Sequence, residues 1–215
     1  MDNRKFYTCC FTGHRPSKLP WGYNEQGIKF LLFKIRLRKA VKQAIKSGYK
    51  YFISSMALGS DIICAEIILE LKKKHPNIEL ECAIPCINQT EKWFGYSLKR
   101  YQNILSKADK VTYVSSVKYF NGCMMKRNNY MIDNSSLLIA IYNGSTGGTK
   151  QTIEKAKEKG LQIKIRTIKK LANFASFLNF IILFDKLINF FSKNLSFIWQ
   201  FIEIIGNIYY RFTKI

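Results

Sequence analysis

A chain of 215 residues that is 47% apolar and 14% aromatic can bury a core, which excludes a wholly disordered protein. Its 35 Lys and Arg against 14 Asp and Glu give a net charge of +21, which favours anionic partners such as nucleic acid, an anionic lipid surface or a phosphorylated small molecule. A basic surface without a specific partner fits the same composition. The 6 cysteines show no C-x-x-C spacing and are joined by only 2 histidines, so we expect reduced core cysteines, no metal site and a cytoplasmic location.

Between residues 5 and 166, short apolar runs alternate with longer helical patterns. We predict strands at 5–12, 49–54, 78–84, 110–115, 137–142 and 161–166. We predict helices at 24–47, with Asn24 as the N-cap, at 61–74, at 91–107, within 120–134 and at 149–159. The predicted buried face of the first helix consists of Ile28, Leu31, Leu32, Ile35 and Val41. This alternation predicts a Rossmann-like α/β domain over residues 1–166, an open and mostly parallel sheet with helices on both faces.

Residues 167–215 form a second region, an apolar and basic tail that we predict to be helical. The run 171–191 has the roughly 20 residues of a transmembrane helix, but Asp185 and Lys186 interrupt it, at a cost on the order of 3 kcal/mol for each charge. Three interpretations remain: helices packed on the domain or on a partner, an interfacial segment on an anionic membrane through residues 171–210, and a true span. The second would place a cytoplasmic protein at the inner face of the membrane.

The loops that follow strands carry the candidate site, because ligands of parallel sheets bind outside the carboxyl ends of the strands. In the loop after the first strand, Gly13 permits a ligand to approach the backbone, and Arg15 and Lys18 are suited to a phosphate. The binding candidates in this loop are Thr12, Gly13, His14, Arg15 and Lys18. An ordinary turn with surface cations fits the same residues.

Two further loops lead into predicted helices, whose N-terminal amides can hold an anion. After the second strand, Asp61 either caps the helix or holds a ribose hydroxyl, and the binding candidates are Ser55, Met56, Ala57, Gly59 and Asp61. The loop at 143–149 is the richest in glycine, and its candidates are Gly147, Gly148 and Thr149. It is not a P-loop, because Lys150 follows Thr149 instead of preceding it.

The run Cys-Cys-Phe-Thr-Gly-His-Arg-Pro at 9–16, with Lys-Leu-Pro-Trp-Gly-Tyr at 18–23, resembles the YpsA-like proteins of the SLOG superfamily. That superfamily also includes the DprA/SMF proteins and the LOG phosphoribohydrolases. Further family-like matches lie at 56–59, 84–86, 123–128, 130–133 and 147–149, so the resemblance covers about residues 6–165. It implies a Rossmann-like fold with a crevice that binds a nucleotide-derived ligand. It also adds binding candidates: Pro85, Gln89, Arg127, Asn128 and Trp93, which is suited to stacking a base.

The chain departs from this resemblance at two places. Ser55 stands where the family usually has glycine, and its Cβ would narrow the approach of a phosphate. The stretch Ser-Thr-Gly-Gly-Thr at 145–149 lacks the proline, the third glycine and the glutamate of the LOG motif Pro-Gly-Gly-x-Gly-Thr-x-x-Glu. The motif therefore gives little support to a phosphoribohydrolase activity.

Three hypotheses for function follow. The first is a ligand-binding protein, a sensor or regulator that holds a nucleotide-derived small molecule without a further cofactor. The second is an enzyme that cleaves an N-glycosidic or phosphate bond, with Asp61, Glu66 and Asp133 as its candidate catalytic carboxylates. The third is an adaptor for nucleic acid or a membrane, which the net charge of +21 and the aromatic residues favour. An oligomer is compatible with each of them.

Overall fold

The computed structural model describes residues 3–167. The three interpretations of the tail concern residues 168–215, which lie outside the described residues, and the domain boundary at residue 166 stays a prediction. Within residues 3–167, no helix combines the length and the hydropathy that crossing a membrane requires.

The described residues form a parallel sheet of six strands in the order β4-β3-β2-β1-β5-β6. The strands are β1 (Thr8–Gly13), β2 (Tyr51–Ser54), β3 (Glu79–Ile84), β4 (Lys110–Tyr113), β5 (Leu137–Tyr142) and β6 (Gln162–Thr167). A helix follows each strand but the last: α1 (Ile28–Lys46), α2 (Ser60–Lys72), α3 (Gly95–Leu105), α4 (Cys123–Asp133) and α5 (Gly148–Glu158). The strands step outward from β1 to β4, and the chain then returns to pair β5 with β1. A ligand crevice is expected at this reversal, outside the carboxyl ends of β1 and β5.

Alternating side chains of the central strands fill a core on each face of the sheet, which confirms the predicted fold class. On one face, Cys9 belongs to a cluster that includes residues of α1, α2 and α3. On the other face, Cys10 belongs to a cluster with residues of α4 and α5. All six cysteines are free and buried, so the prediction that they are core residues is confirmed.

The first strand and the first helix begin later than predicted. Residues Asn3–Tyr7 form a 3-10 turn, and β1 begins at Thr8. Helix α1 begins at Ile28, because the Asn24 side chain accepts the amide of Gln26 (3.1 Å) in a local turn before the helix. The prediction that Asn24 caps the helix is therefore wrong.

Two further details of the helices differ from the prediction. Leu31 and Ile35 of α1 are 52% and 55% exposed, whereas the buried face consists of Phe33, Leu37, Ala40, Val41 and Ala44. Of the five predicted residues, Val41 is buried and Ile28 and Leu32 are partly buried, so the prediction is wrong for Leu31 and Ile35, because α1 carries apolar residues on more than one face. Helix α3 begins at Gly95 instead of residue 91, because residues 89–93 are taken up by tight turns.

Candidate functional site

A cavity of about 260 Å³, here called the crevice, lies at the carboxyl ends of β1 and β5. The loops after β1, β2 and β5 surround it together with the first turns of α4. Most of the predicted binding residues line it: Thr12, Gly13, His14, Arg15, Lys18, Ser55, Ala57, Asp61, Arg127, Asn128, Gly147, Gly148 and Thr149. Segments that are far apart in the sequence therefore meet at the reversal of strand order.

The remaining predicted binding residues do not line the crevice: Met56, Gly59, Pro85, Gln89 and Trp93. Met56 is fully buried, and its carbonyl accepts the side-chain amide of Gln89 at 2.7 Å. Pro85 is buried, and Trp93 packs edge-on against Tyr101 with 5.3 Å between ring centroids. Gln89 therefore supports the loop after β2, and Trp93 is not placed to stack a base within the crevice.

Two of the glycine candidates are accounted for by the packing of β1 against α2. A Cβ on Gly13 would lie 2.4 Å from the Cβ of Ser60, the first residue of α2. A Cβ on Gly59, where φ is +96°, would lie 2.6 Å from the carbonyl oxygen of His14. The same carbonyl accepts the Ser60 amide at 3.2 Å, so the chain after β1 covers the N-terminus of α2. Neither glycine requires a ligand to explain it.

His14 joins the loops on the two sides of the crevice. Its Nε2 accepts the backbone amide of Asn143 at 3.2 Å, so the ring proton is assigned to Nδ1, which lies 3.5 Å from Oγ1 of Thr149. The ring also packs on Tyr142, with 5.7 Å between centroids. Burial lowers the pKa of His14, so the ring is neutral at pH 7. His14 therefore positions the turn between β5 and α5 instead of presenting a positive charge.

The N-terminus of α5 faces the crevice, and no side chain of the described residues caps it. Gly147 precedes the helix with φ of +127°, which glycine adopts without strain, and a Cβ on Gly148 would meet no atom within 4 Å. Lys18 reaches this turn from the other side, where its Nζ donates to the carbonyl of Thr146 at 3.1 Å. Free amides at a helix start beside an ammonium group are suited to binding an anion.

A buried pair of opposite charges, Asp61 and Arg127, forms another wall of the crevice, and each side chain is 4% exposed. Burial raises the pKa of Asp61 to about 6, although the charge of Arg127, a hydrogen bond from Ser55 and the charge of Arg15 all act to lower it. Burial lowers the pKa of Arg127 to about 10, so its guanidinium stays charged at neutral pH. The crevice thus contains charges of both signs.

Ser55 lines the crevice at the position where the resembling family usually has glycine. Its hydroxyl oxygen accepts the amide of Ala57 at 3.3 Å, and the nearby hydroxyl acts to lower the pKa of Asp61. Its carbonyl accepts a hydrogen bond from Nη1 of Arg127. Ser55 therefore affects the pKa of Asp61 and the position of Arg127, in addition to occupying space in the crevice.

Sequence reasoning missed Ser17, Met124 and Thr146, which also line the crevice. Ser17 and Thr146 neighbour Lys18 and Gly147 in the chain, so taking each loop as a whole would have found them. Met124 lies one helical turn before Arg127, whose Nη2 approaches its sulfur at 3.8 Å. Because residues three apart on a helix lie on the same face, the predicted binding residue Arg127 could have indicated Met124 as well.

Two of the predicted catalytic carboxylates lie outside the crevice, so their assignment to it is wrong. Glu66 forms an ion pair with Arg100, which also binds Glu25 at 2.9 Å, in a separate groove of about 970 Å³. Asp133 pairs with Lys159 at 2.6 Å on the surface. Of the acidic residues that the structure describes, Asp61 alone lines the crevice. Residues 3–167 contain no group of three His, Cys, Asp or Glu side chains arranged to hold a metal ion.

Relatives of the chain include the UPF0398 protein of Bacillus thuringiensis (strain Al Hakam), 30% identical over 152 residues, which are 69% of this chain and 82% of the relative. The UPF0398 protein of Halalkalibacterium halodurans is 28% identical over 154 residues, 70% of this chain and 80% of the relative. A solved structure of DNA processing protein A from Helicobacter pylori, a protein that binds single-stranded DNA, aligns with a TM-score of 0.49 at 16% identity, over 80% of this chain and 79% of that chain.

The family itself is identified by a model that covers most of the described residues. The model of YpsA, the YspA SLOG family, matches residues 9–172, which include every strand of the sheet from Cys9 onward and every loop around the crevice. This match confirms the resemblance found in the opening motif. The chain belongs to the YspA SLOG family.

Proposed function

We propose that the crevice binds a nucleotide or a nucleotide-derived ligand through its phosphate, and that the protein senses or regulates through this ligand. The observation that carries the proposal is the meeting of three positive features in one cavity: the N-terminus of α5, the ammonium group of Lys18 and the guanidinium group of Arg15. A phosphate offers each of them a charged acceptor. Arg15 and Lys18 are exposed at the mouth of the crevice, so they are accessible to a ligand from solvent.

The size of the crevice indicates which part of a nucleotide it encloses. Its volume of about 260 Å³ is slightly below the roughly 300–1,000 Å³ that is usual for pockets of drug-sized ligands. A phosphate and a sugar fit such a volume, and the base then extends toward the mouth. This arrangement does not require Trp93 to stack the base inside the crevice.

The acidic residues favour binding over bond cleavage. Cleavage of an N-glycosidic or phosphate bond by this chain would need a carboxylate placed to act as general acid or base on that bond. Among residues 3–167, Asp61 is the one carboxylate at the crevice, while Glu66 and Asp133 are held elsewhere by Arg100 and Lys159. The proposal is therefore a binding protein.

Calorimetric titration of the full chain with AMP, ADP-ribose and NAD tests the proposal. We expect heat of binding from at least one of them, and Arg15→Gln to weaken it about tenfold, the loss of one charge-assisted contact. Arg36→Gln is the matched control, because Arg36 is an exposed arginine of α1 that does not line the crevice. No heat from any of the three compounds with folded protein would contradict the proposal, as would equal weakening by both variants.

A second candidate function rests on a group of exposed apolar side chains, the rim patch, formed by Ile87, Val117, Tyr119 and Phe120. Their exposed fractions range from 37% to 62%. The loops after β3 and β4 hold the patch together, since the Ile87 amide donates to the Val117 carbonyl at 3.2 Å and the Tyr119 amide to Oδ1 of Asn88 at 2.7 Å. Contiguous exposed apolar groups of this kind mark interaction surfaces.

The charges of the same loops favour single-stranded nucleic acid as the partner of the rim patch. Lys92, Lys118 and Lys126 are exposed on the segments that carry or follow it. Aromatic rings for stacking and cations for phosphates are the usual means of binding single strands. We expect a labelled 20-nucleotide oligo(dT) to bind in a fluorescence anisotropy assay, more weakly as salt is raised, and Tyr119→Ala to weaken binding at least fivefold. Tyr23→Ala, which removes another exposed tyrosine, is the control, and an equal loss in both variants would contradict the assignment.

A further inference from the structure

The carboxyl of Asp61 is a buried acceptor with unused capacity. It lines the crevice and is 4% exposed, and its Oδ1 has no hydrogen-bond partner among residues 3–167. Nearly all buried polar atoms of native proteins are hydrogen-bonded, and leaving one unpaired costs free energy. The position is therefore suited to a donor that comes from a bound molecule.

The cation beside Asp61 does not supply this donor, and each of its three nitrogens has another partner. Arg127 points Nη1 at the carbonyl of Ser55, Nε at Oδ1 of Asn128 (2.9 Å) and Nη2 at the sulfur of Met124 (3.8 Å). Its positive charge nevertheless favours the ionised form of Asp61, which burial disfavours. The surroundings thus support a carboxylate without consuming its free oxygen.

The chemistry of the missing donor follows from the place of Asp61 relative to the proposed phosphate position. A phosphate offers acceptors and a negative charge, so it does not pair with a carboxylate. The positive features that suit it lie at the start of α5 and on the loop after β1, whereas Asp61 lies in the first turn of α2. Asp61 and the start of α5 line the same cavity of about 260 Å³, so we expect the group bonded next to the phosphate to face Asp61. In a nucleotide this group is the sugar, whose hydroxyls are donors.

We propose, on the basis of the phosphate-binding function above, that Asp61 accepts a hydrogen bond from a ribose hydroxyl and makes the crevice selective for ribonucleotides over deoxyribonucleotides. A site with a buried polar group discriminates strongly against an analogue that lacks the matching hydroxyl, because the group is then left unpaired. A bound deoxyribose would leave Oδ1 of Asp61 without a donor, as it is in the free protein.

The test is calorimetric titration of the full chain with AMP, 2′-deoxy-AMP and 3′-deoxy-AMP, with circular dichroism to confirm folding. We expect the wild-type protein to bind AMP at least tenfold more tightly than one of the two deoxy compounds. Asp61→Asn should reduce this ratio below threefold, because the neutral amide oxygen is a weaker acceptor, and Asp61→Ala should abolish it. Asp133→Asn should keep the wild-type ratio, since that carboxylate pairs with Lys159 away from the crevice.

The outcomes separate this inference from the function on which it rests. If AMP and both deoxy compounds bind equally well, phosphate binding stands and the ribose contact is overturned. If a deoxy compound is discriminated against equally by wild type and by Asp61→Ala, a different residue reads the sugar, which also overturns it. If AMP, ADP-ribose and NAD all fail to bind, the proposed function fails and the inference with it. If ADP-ribose or NAD binds and AMP does not, the proposed function stands and the contact of Asp61 with the sugar of a mononucleotide is overturned.

Discussion

Two strand-to-helix turns border the crevice, and they look alike in sequence but differ in structure. Gly59 precedes α2 with φ of +96° and Gly147 precedes α5 with φ of +127°, and neither helix has a side-chain cap. At α2, the carbonyl of His14 accepts both the amide and the hydroxyl of Ser60, each at 3.2 Å. At α5, the described residues place no such carbonyl over the first turn. A glycine before a helix therefore indicates an anion site only where the helix start is left uncovered.

The difference arises from where the chain goes after β1. Its loop crosses the start of α2, where a Cβ on Gly59 would lie within 3.1 Å of backbone or side-chain atoms of Pro16 and still closer to His14. The same loop then passes Lys18 to the turn before α5, where Nζ of Lys18 contacts the Thr146 carbonyl at 3.1 Å. The loop after β1 thus covers the start of α2 and places a positive charge beside the start of α5.

The largest effect on stability is expected from Gly13→Ala, which disturbs the packing of β1 against the covered start of α2. The new Cβ would lie 2.4 Å from Cβ of Ser60 and 3.1 Å from Cβ of Ile141, so α2 or the centre of the sheet has to move. We expect the free energy of unfolding, measured in urea, to fall by more than about 3 kcal/mol. A loss of less than about 1 kcal/mol would show that α2 does not rest on β1 in this way.

A smaller effect concerns the buried carboxyl in the first turn of α2. Burial raises the pKa of Asp61 from 3.8 to about 6, so between these values the folded protein holds a proton that the unfolded chain releases. Stability should therefore fall as pH rises from about 4 to about 6, by on the order of 2–3 kcal/mol. The charged groups that act on Asp61 are Arg127 of α4 and Arg15 after β1, while the nearby thiols of Cys10 and Cys64 stay protonated because burial raises the pKa of both.

Asp61→Asn is the variant that isolates this contribution, because it keeps the shape of the side chain and removes its titration. Urea unfolding at pH 4, 5, 6 and 7 should show the decline in the wild-type protein and its absence in Asp61→Asn. Asp133→Asn serves as the control, since Asp133 is a surface residue paired with Lys159. Parallel pH curves for wild type and Asp61→Asn would mean that Asp61 is not held in a desolvated site.

An effect of about 1 kcal/mol is expected at His14, which connects the two turns. Burial lowers its pKa below 6.5, so the unfolded chain binds a proton before the folded protein does, and this contribution to stability is lost as pH falls below about 6.5. His14→Gln should be less stable than wild type at pH 7.5, because the ring no longer accepts the Asn143 amide, and the difference should shrink at pH 5.5. A difference that grows on acidification would contradict the neutral ring.

The sequence predicts an element well where a single property, such as continuous hydrophobicity, determines its bounds. The uninterrupted apolar run Leu137–Tyr142 has the predicted bounds of β5, because both of its faces are buried. The start of β1 was predicted wrongly because Phe6 and Tyr7 are typical strand residues, yet they are 67% and 50% exposed in a 3-10 turn. Local propensity does not include the tertiary contacts that decide such a boundary.

Tertiary contacts also limited how well the sequence predicted the candidate site. The rule that ligands lie at the carboxyl ends of parallel strands correctly brought together Arg15, Asp61 and Gly148. It did not exclude Glu66, because helical phase and the ion pair with Arg100 direct that side chain into another groove. The rule also did not distinguish glycines required by close packing from glycines that leave room for a ligand. That distinction depends on which atoms a Cβ would meet in the folded structure.

The smallest effect on stability is expected from Gly148→Ala. The same variant tests most directly whether the uncovered start of α5 binds the ligand. The added Cβ meets no atom within 4 Å and φ is not positive, so the free energy of unfolding should stay within about 0.5 kcal/mol of wild type or rise slightly. The methyl group would nevertheless lie at the first turn of α5, where the phosphate is proposed to bind, so calorimetry with AMP should show at least tenfold weaker binding. Unchanged affinity in a folded Gly148→Ala variant would place the phosphate away from this helix start, and the difference between the two turns would then have no bearing on ligand binding.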